Sequence, residues 1–322
     1  MNDKRLSSEF LEDALASLEK KLHVIRDWTT AVVLGFIHGF FLYGGGGIGK
    51  SYTVLNQLRT RGVRYVLHNS RMTGKGLFLA LRNAPDAIHV FEDMERLMKD
   101  ADAQGVLRSA MWAQPGHDRI VTWTTARDGF ESFVFRGGVI VISNRPMADL
   151  PELRALATRI EVLGLEVTEA ELAARMHEVA IQGYRVDSKT VIEPDVCLEI
   201  TEHVLDECRA AGCPLDLRLQ QKSFQTYLQW ESDLTTLHWK DLVAVSVREA
   251  AHHFRHEPNT LSQEAKRKQK RNFIRELMQQ FPDDKSSQEE QYVTVAKKGS
   301  RADFFRRKGE VDRGEFDEED AA

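Results

Sequence analysis

Residues 44–51 read Gly-Gly-Gly-Gly-Ile-Gly-Lys-Ser, between an apolar run at residues 40–43 and a helix-forming stretch at residues 52–59. The spacing G-x-x-x-x-G-K-[ST] at a strand-to-helix turn is the pattern of a loop that cradles phosphates. Glycines are needed there because backbone N–H groups must converge on an anion without side-chain interference, often at positive φ. Lys50 supplies counter-charge for the outer phosphates, and Ser51 offers a hydroxyl to Mg²⁺. The helix that begins there points its positive dipole end at the same anion. Gly44, Gly45, Gly46, Gly47, Ile48, Gly49, Lys50 and Ser51 are therefore the expected nucleotide-phosphate site.

Such a turn needs a sheet to hold it. Apolar runs at residues 64–67, 88–91 and 139–142 join 40–43 as buried parallel strands, with helical stretches between them. That alternation implies an α/β fold, a parallel sheet covered on both faces with ligands at the carboxyl ends of its strands. Before it, Phe10, Leu11, Ala14, Leu18, Leu22 and Ile25 recur at helical spacing, which gives an amphipathic helix packed beside the core. After residue 165 the pattern is helical only. It opens with a capping box at Thr168 and Glu171, continues through 196–208, 217–230 and 239–254, and breaks in a polar stretch containing Pro258. The expected division is an N-terminal helix at 1–30, an α/β domain at 31–165, a helical domain at 166–256 and a C-terminal segment at 257–322.

Composition narrows the class. A chain of 322 residues, 42% hydrophobic, buries a full core, and its net charge of -5 argues against a uniformly basic nucleic-acid coat. Three cysteines without paired spacing make neither a disulfide framework nor a zinc knuckle, which fits a reducing cytoplasm. Residues 1–21 are charged, and residues 31–43 are too short and too interrupted to span a bilayer, so no membrane insertion is expected.

A magnesium-triphosphate site also needs carboxylates at the end of a neighbouring strand. Glu92 and Asp93 follow the apolar run at 88–91, placed so that one holds the metal side and the other orients or deprotonates water. The bland reading is a pair of acids capping the helix from Met94.

These residues resemble the AAA+ ATPase family over residues 40–230. GGGGIGKS resembles its Walker A motif, and Val90-Phe91-Glu92-Asp93 is similar to its Walker B motif, with Glu92 where the family usually has a metal-side Asp and Asp93 where it usually has the catalytic Glu. A register one residue later would put Asp93 on the metal and Glu95 as base, so the acids are taken as a pair. The resemblance implies ATP and Mg²⁺ as ligands, and Asn144 as a sensor that positions the attacking water. It implies Arg159, ahead of the poorer Arg154, as an arginine finger for a neighbouring subunit's γ-phosphate. It further implies Arg218 as a second sensor on a helical lid, which the region after residue 165 matches, and a homo-oligomer as the working form.

Residues 119–125 and 132–135 read as a hairpin around Arg127-Asp128-Gly129. In AAA+ proteins a hairpin at this place can line a pore and touch nucleic acid; a plain edge hairpin is the other reading. The stretch 287–308 offers a short helix with Tyr292, Val293 and Val295, a turn at 297–300, and a helix carrying Phe304 and Phe305. It resembles a helix-turn-helix that presents Arg301, Arg306 and Arg307 to DNA. A disordered basic tail or a peptide docking on a protein partner competes with that reading. His252, His253 and His256 read as a polar helix end rather than a metal site. The functional expectation is an AAA+ ATPase that remodels DNA or a DNA-bound protein, with an ATP-gated DNA-binding regulator of weak hydrolysis as the alternative.

Overall fold

A computed structural model of the chain describes residues 8–125, 129–147, 154–187, 190–256, 263–282, 284–295 and 300–312. The chain divides into two compact units, Met1–Phe254 and Arg255–Ala322.

The first unit is built on strands β1 (Gly39–Gly44), β2 (Tyr65–His68), β3 (Ile88–Glu92), β6 (Gly138–Ser143) and β7 (Glu161–Leu165). They form one sheet in the order β2-β3-β6-β1-β7, with every pair parallel. Four of these strands answer the apolar runs in the sequence; β7 is a fifth, which the sequence pattern did not announce. Side chains alternate across the pleat. Phe40, Leu42, Val90, Ile140 and Ile142 face helices α1 (Ser8–Val33) and α2 (Lys50–Thr60), whose Leu18, Leu22, Ile25, Val54 and Leu58 complete that core. Phe41, Phe91, Val139 and Val141 face α3 (Gly74–Asn83) and α5 (Ala101–Met111), with Phe78, Leu107 and Met111 among them. Each such side chain, fully buried, contributes roughly 1.5–3 kcal/mol. Between β3 and α5 lies the short α4 (Glu95–Met98), and α6 (Arg154–Ala157) precedes β7. The expected hairpin is present as antiparallel β4 (Ile120–Thr125) and β5 (Gly129–Val134); Arg127 at its tip lies outside the described residues.

Helices α7 (Glu169–Ile181), α8 (Pro194–Ala211), α9 (Leu217–Glu231) and α10 (Trp239–His256) follow. Met176, Ile200, Val204, Phe224, Trp239 and Val243 pack into a core of their own. The region is not purely helical, as the sequence implied. A two-stranded ribbon, β8 (Tyr184–Arg185) with β9 (Val191–Ile192), crosses it, and strands of two residues leave no periodicity to read. The capping box forms: Thr168 accepts from the Glu171 N–H, and Glu171 accepts from the Thr168 N–H. All three cysteines are buried and free.

The second unit contains α11 (Gln263–Gln280), α12 (Lys285–Glu290) continued by a π-helical turn (Gln291–Val295), and α13 (Arg301–Asp312). Its core is Ile274, Leu277, Tyr292 and Phe304. One expectation is corrected here. Arg307, read from the sequence as facing DNA, is buried and bonded to Glu310, because it falls three residues after Phe304 on the face that packs inward. Arg301 and Arg306 on the same helix are exposed, although each pairs with an acid, Glu289 and Asp303 respectively. Among the described residues, no helix is long and apolar enough to cross a membrane.

Candidate nucleotide site

The strand registers bring the sequence-predicted residues to one level. Tyr43 lies opposite Ser143 and Glu92 opposite Ile142, so Gly44, Asp93 and Asn144 leave three adjacent strands together at their carboxyl ends. The turn from β1 into α2 is the glycine loop. Gly47 has φ 66° and Gly49, which caps α2, has φ 92°, both in the left-handed region that favours glycine.

Lys50 projects from the first turn of α2 and is buried. Its ammonium donates to the carbonyls of Gly44 at 2.9 Å and Gly45 at 2.5 Å and to Asn144 Oδ1 at 3.1 Å. Asn144 Nδ2 in turn donates to Asp93 Oδ1 at 2.9 Å. Lys50, Asn144 and Asp93 thus form one hydrogen-bonded series. Burial lowers the Lys50 pKa to about 8; Asp93 and Glu92 oppose that shift, and Arg218 adds to it. Asp93 has φ 51°, a left-handed conformation that an L residue adopts at a cost, and it is fixed there by its N–H bond to the Ile142 carbonyl at 3.1 Å. Glu92 Oε1 is buried without a hydrogen-bond partner among the described residues. An unpaired buried carboxylate oxygen is costly unless a cation or a donor meets it, and Glu92 adjoins Asp93 and acts electrostatically on Lys50.

The helical region closes over this end of the sheet. Leu217 donates its N–H to the Gly47 carbonyl at 3.1 Å, and Asp216 accepts from the Arg218 N–H at 2.6 Å, capping α9. A β-carbon on Gly47 would collide with the Asp216 carboxylate, and one on Gly46 would lie 3.8 Å from Arg218 Nη1. Arg218 therefore stands over the glycine loop, although it comes from a different layer of the unit.

A cavity of about 380 Å³ runs from the loop, Ser51, Glu92, Asp93, Asn144 and Arg218 to an apolar end. Leu18 and Leu22 of α1, Val179, Tyr184 and Phe224 line that end, with the rings of Tyr184 and Phe224 5.1 Å apart. Sequence reasoning missed this wall. It treated α1 as a packing helix, and the signal lay in its two roles: Leu18 and Leu22 belong both to the sheet core and to the cavity. Arg175 also lines the cavity and is held by Glu178 and, at 3.6 Å, by Glu19.

Arg159 is not brought to this cavity. It lies exposed in the turn before β7, its guanidinium 5.6 Å from the Trp112 ring centre. Among the described residues, no group of three or more His, Cys, Asp or Glu converges to hold a metal.

The architecture is that of a P-loop-like α/β fold with a helical C-terminal part. No family model matches the chain. It is similar to an uncharacterised 36.7 kDa protein of Enterobacteria phage T4 from the nrdC-mobD intergenic region, 27% identical over 194 residues, or 54% of this chain. The match spans 59% of that relative's length. Among solved structures the chain is similar to a variant of RuvB from Thermotoga maritima, with 15% identity and a TM-score of 0.42 over 83% of this chain and 76% of that one.

Proposed function

We propose that this chain binds ATP with Mg²⁺ at residues 44–51 and hydrolyses it as an ATPase of the AAA+ kind. The observation that carries the reading is the series Lys50, Asn144, Asp93 at the carboxyl ends of three adjacent parallel strands, with a Glu92 oxygen buried and unpaired beside it. Ser51, Glu92 and Asp93 make an oxygen-only donor set, which suits a hard cation; Mg²⁺ is ordinarily held by one or two carboxylates together with substrate phosphates. When bound, Mg²⁺ neutralises charge on the phosphate oxygens. Lys50 turns from the loop carbonyls to the β- and γ-phosphates. Glu92 takes the metal side through its unpaired oxygen, while Asp93, oriented by Asn144, positions the attacking water and accepts its proton. Arg218 contacts the phosphates from the helical region, which acts as a lid. Arg159 serves the nucleotide of a neighbouring copy in a homo-oligomer.

In this reading, turnover is coupled to remodelling of DNA or of a DNA-bound protein. The proposed DNA contacts are Arg301 and Arg306 in the second unit or, in their place, Arg127 of the hairpin. A second reading, an ATP-gated DNA-binding regulator with slow hydrolysis, is favoured by one observation. The shorter carboxylate, Asp93, stands where the family usually has the catalytic Glu, and it is held at φ 51°.

The test compares wild type with Glu92→Gln and Asp93→Asn, measuring ATP binding and turnover with and without duplex DNA. Retained binding with turnover slowed at least tenfold in both variants supports the ATPase assignment. Unchanged turnover in both would move the chemistry elsewhere, and a slow wild type that DNA does not stimulate selects the regulator.

A further inference from the structure

We infer that Trp112 is a positioning residue for Arg159, holding its guanidinium against the indole face so that the side chain is presented to the nucleotide of a second copy of this chain. The inference rests on the reading of Arg159 as an arginine finger. Its starting point is where Arg159 stands. β7 runs parallel to β1 with Glu161 opposite Phe40 and Leu165 opposite Gly44. The start of β7 is therefore four strand residues, roughly 13 Å, below the phosphate loop, before the turn that carries Arg159 is counted. Arg159 does not line its own chain's cavity, so any nucleotide it meets belongs to another copy.

Trp112 caps α5, its N–H bonded to the Arg108 carbonyl at 3.2 Å. Trp112 is 43% exposed, and the Arg159 guanidinium lies 5.6 Å from its ring centre. The backbone of Arg159 is fixed as well, through its N–H bond to the Leu156 carbonyl at 2.8 Å. Attraction to an aromatic face acts on the charge of a guanidinium within about 6 Å of the ring centre, whereas phosphate recognition uses the N–H groups at its edge. The two contacts are compatible. The indole therefore removes rotamer freedom in advance, and less is lost when the fork meets a γ-phosphate. The surrounding core does not depend on the ring: Trp112 stands outside the buried cluster, and Val106, Leu107, Ala110 and Met111 anchor α5.

The test measures single-turnover ATP hydrolysis and ATP affinity in the full chain for Trp112→Leu, Trp112→Phe, Arg159→Ala and the double variant Trp112→Leu/Arg159→Ala. The expected result is a roughly three- to fivefold slower rate for Trp112→Leu, the size of an exposed cation–π interaction, with ATP affinity and melting temperature held. Trp112→Phe should recover most of the rate, and the double variant should be no slower than Arg159→Ala alone. A purely structural tryptophan would instead reduce rate and stability together and multiply with Arg159→Ala. Wild-type rate in Trp112→Leu beside a slow Arg159→Ala overturns the role of Trp112 alone. Full rate in Arg159→Ala overturns the finger and this inference with it.

Discussion

The backbone N–H of Leu217 bonds the carbonyl of Gly47 at 3.1 Å, so the first turn of α9 is seated on the glycine loop. Asp216 completes the joint by capping α9 and filling the space above Gly47. Loop, cap and Arg218 are thereby one mechanical element. Asp216→Ala is expected to cost about 0.5–2 kcal/mol, the usual loss for an N-cap, and to weaken ATP binding several-fold. Arg218→Ala should weaken ATP more than ADP, because only ATP carries the outer phosphate. Denaturation and nucleotide titration check both, and equal ATP affinity in Asp216→Ala would uncouple α9 from the loop.

At the proposed ATP site, the depressed pKa of Lys50 predicts a pH signature for binding. The free protein holds this lysine near pKa 8 because it is buried, and a polyphosphate beside it raises that value. Below about pH 8 the lysine is charged in both states and affinity is level. As pH rises through 8, binding must take up a proton, so affinity falls by at most tenfold per pH unit until the bound-state pKa is passed. Titrations between pH 7 and 9.5 should trace that decline in wild type and a flat, weaker line in Lys50→Ala.

Glu171 ties α7 to α1. Burial alone would raise its pKa, but Lys21, the Thr168 N–H and Ser17 donate to it and hold it at about 2. A carboxylate with a depressed folded-state pKa stabilises fully above its unfolded value, near 4.3, and the contribution is lost as pH falls toward 2. Glu171→Gln should therefore destabilise the first unit by roughly 1–3 kcal/mol at pH 7, with the gap to wild type closing as pH drops from 5 to 2. A gap independent of pH would assign the loss to packing instead.

In the second unit, burial separates arginines that look equivalent in sequence. Arg307 is 6% exposed and donates to both Glu310 oxygens at 2.6 and 2.8 Å, so Arg307→Ala should cost that unit roughly 1–3 kcal/mol. Arg301→Ala with Arg306→Ala should leave stability within about 0.5 kcal/mol and flatten the salt dependence of duplex binding by roughly 0.9 for each phosphate no longer neutralised. Unchanged DNA affinity in that double variant would count against α13 as a DNA contact.

The central strands and the phosphate loop were legible because each is a local signal: an unbroken apolar run, or an octet of fixed spacing. β7 was not. It is an edge strand paired only with β1, and of its residues only Leu165 is buried, so Glu161 and Gly164 dilute the pattern. The bond from Lys50 to Asn144 spans 94 residues, and no periodicity reports it; the resemblance supplied Asn144, and strand register supplied its neighbours. In the second unit, Phe304, Arg307 and Lys308 fall at helical spacing on one buried face, but only Phe304 is apolar, so hydrophobic periodicity does not announce that Arg307 is interior.

The order of strands in the sheet also governs when the site can come into being during synthesis. β1 and the glycine loop leave the ribosome before either neighbour of β1, which are encoded at Gly138–Ser143 and Glu161–Leu165. Non-local parallel pairing of this kind is slow, because loop closure comes before any reward. Until β6 and β7 have emerged, the most apolar strand of the nascent chain, Phe40 to Leu42, has no partner and stands open to chaperones or to aggregation.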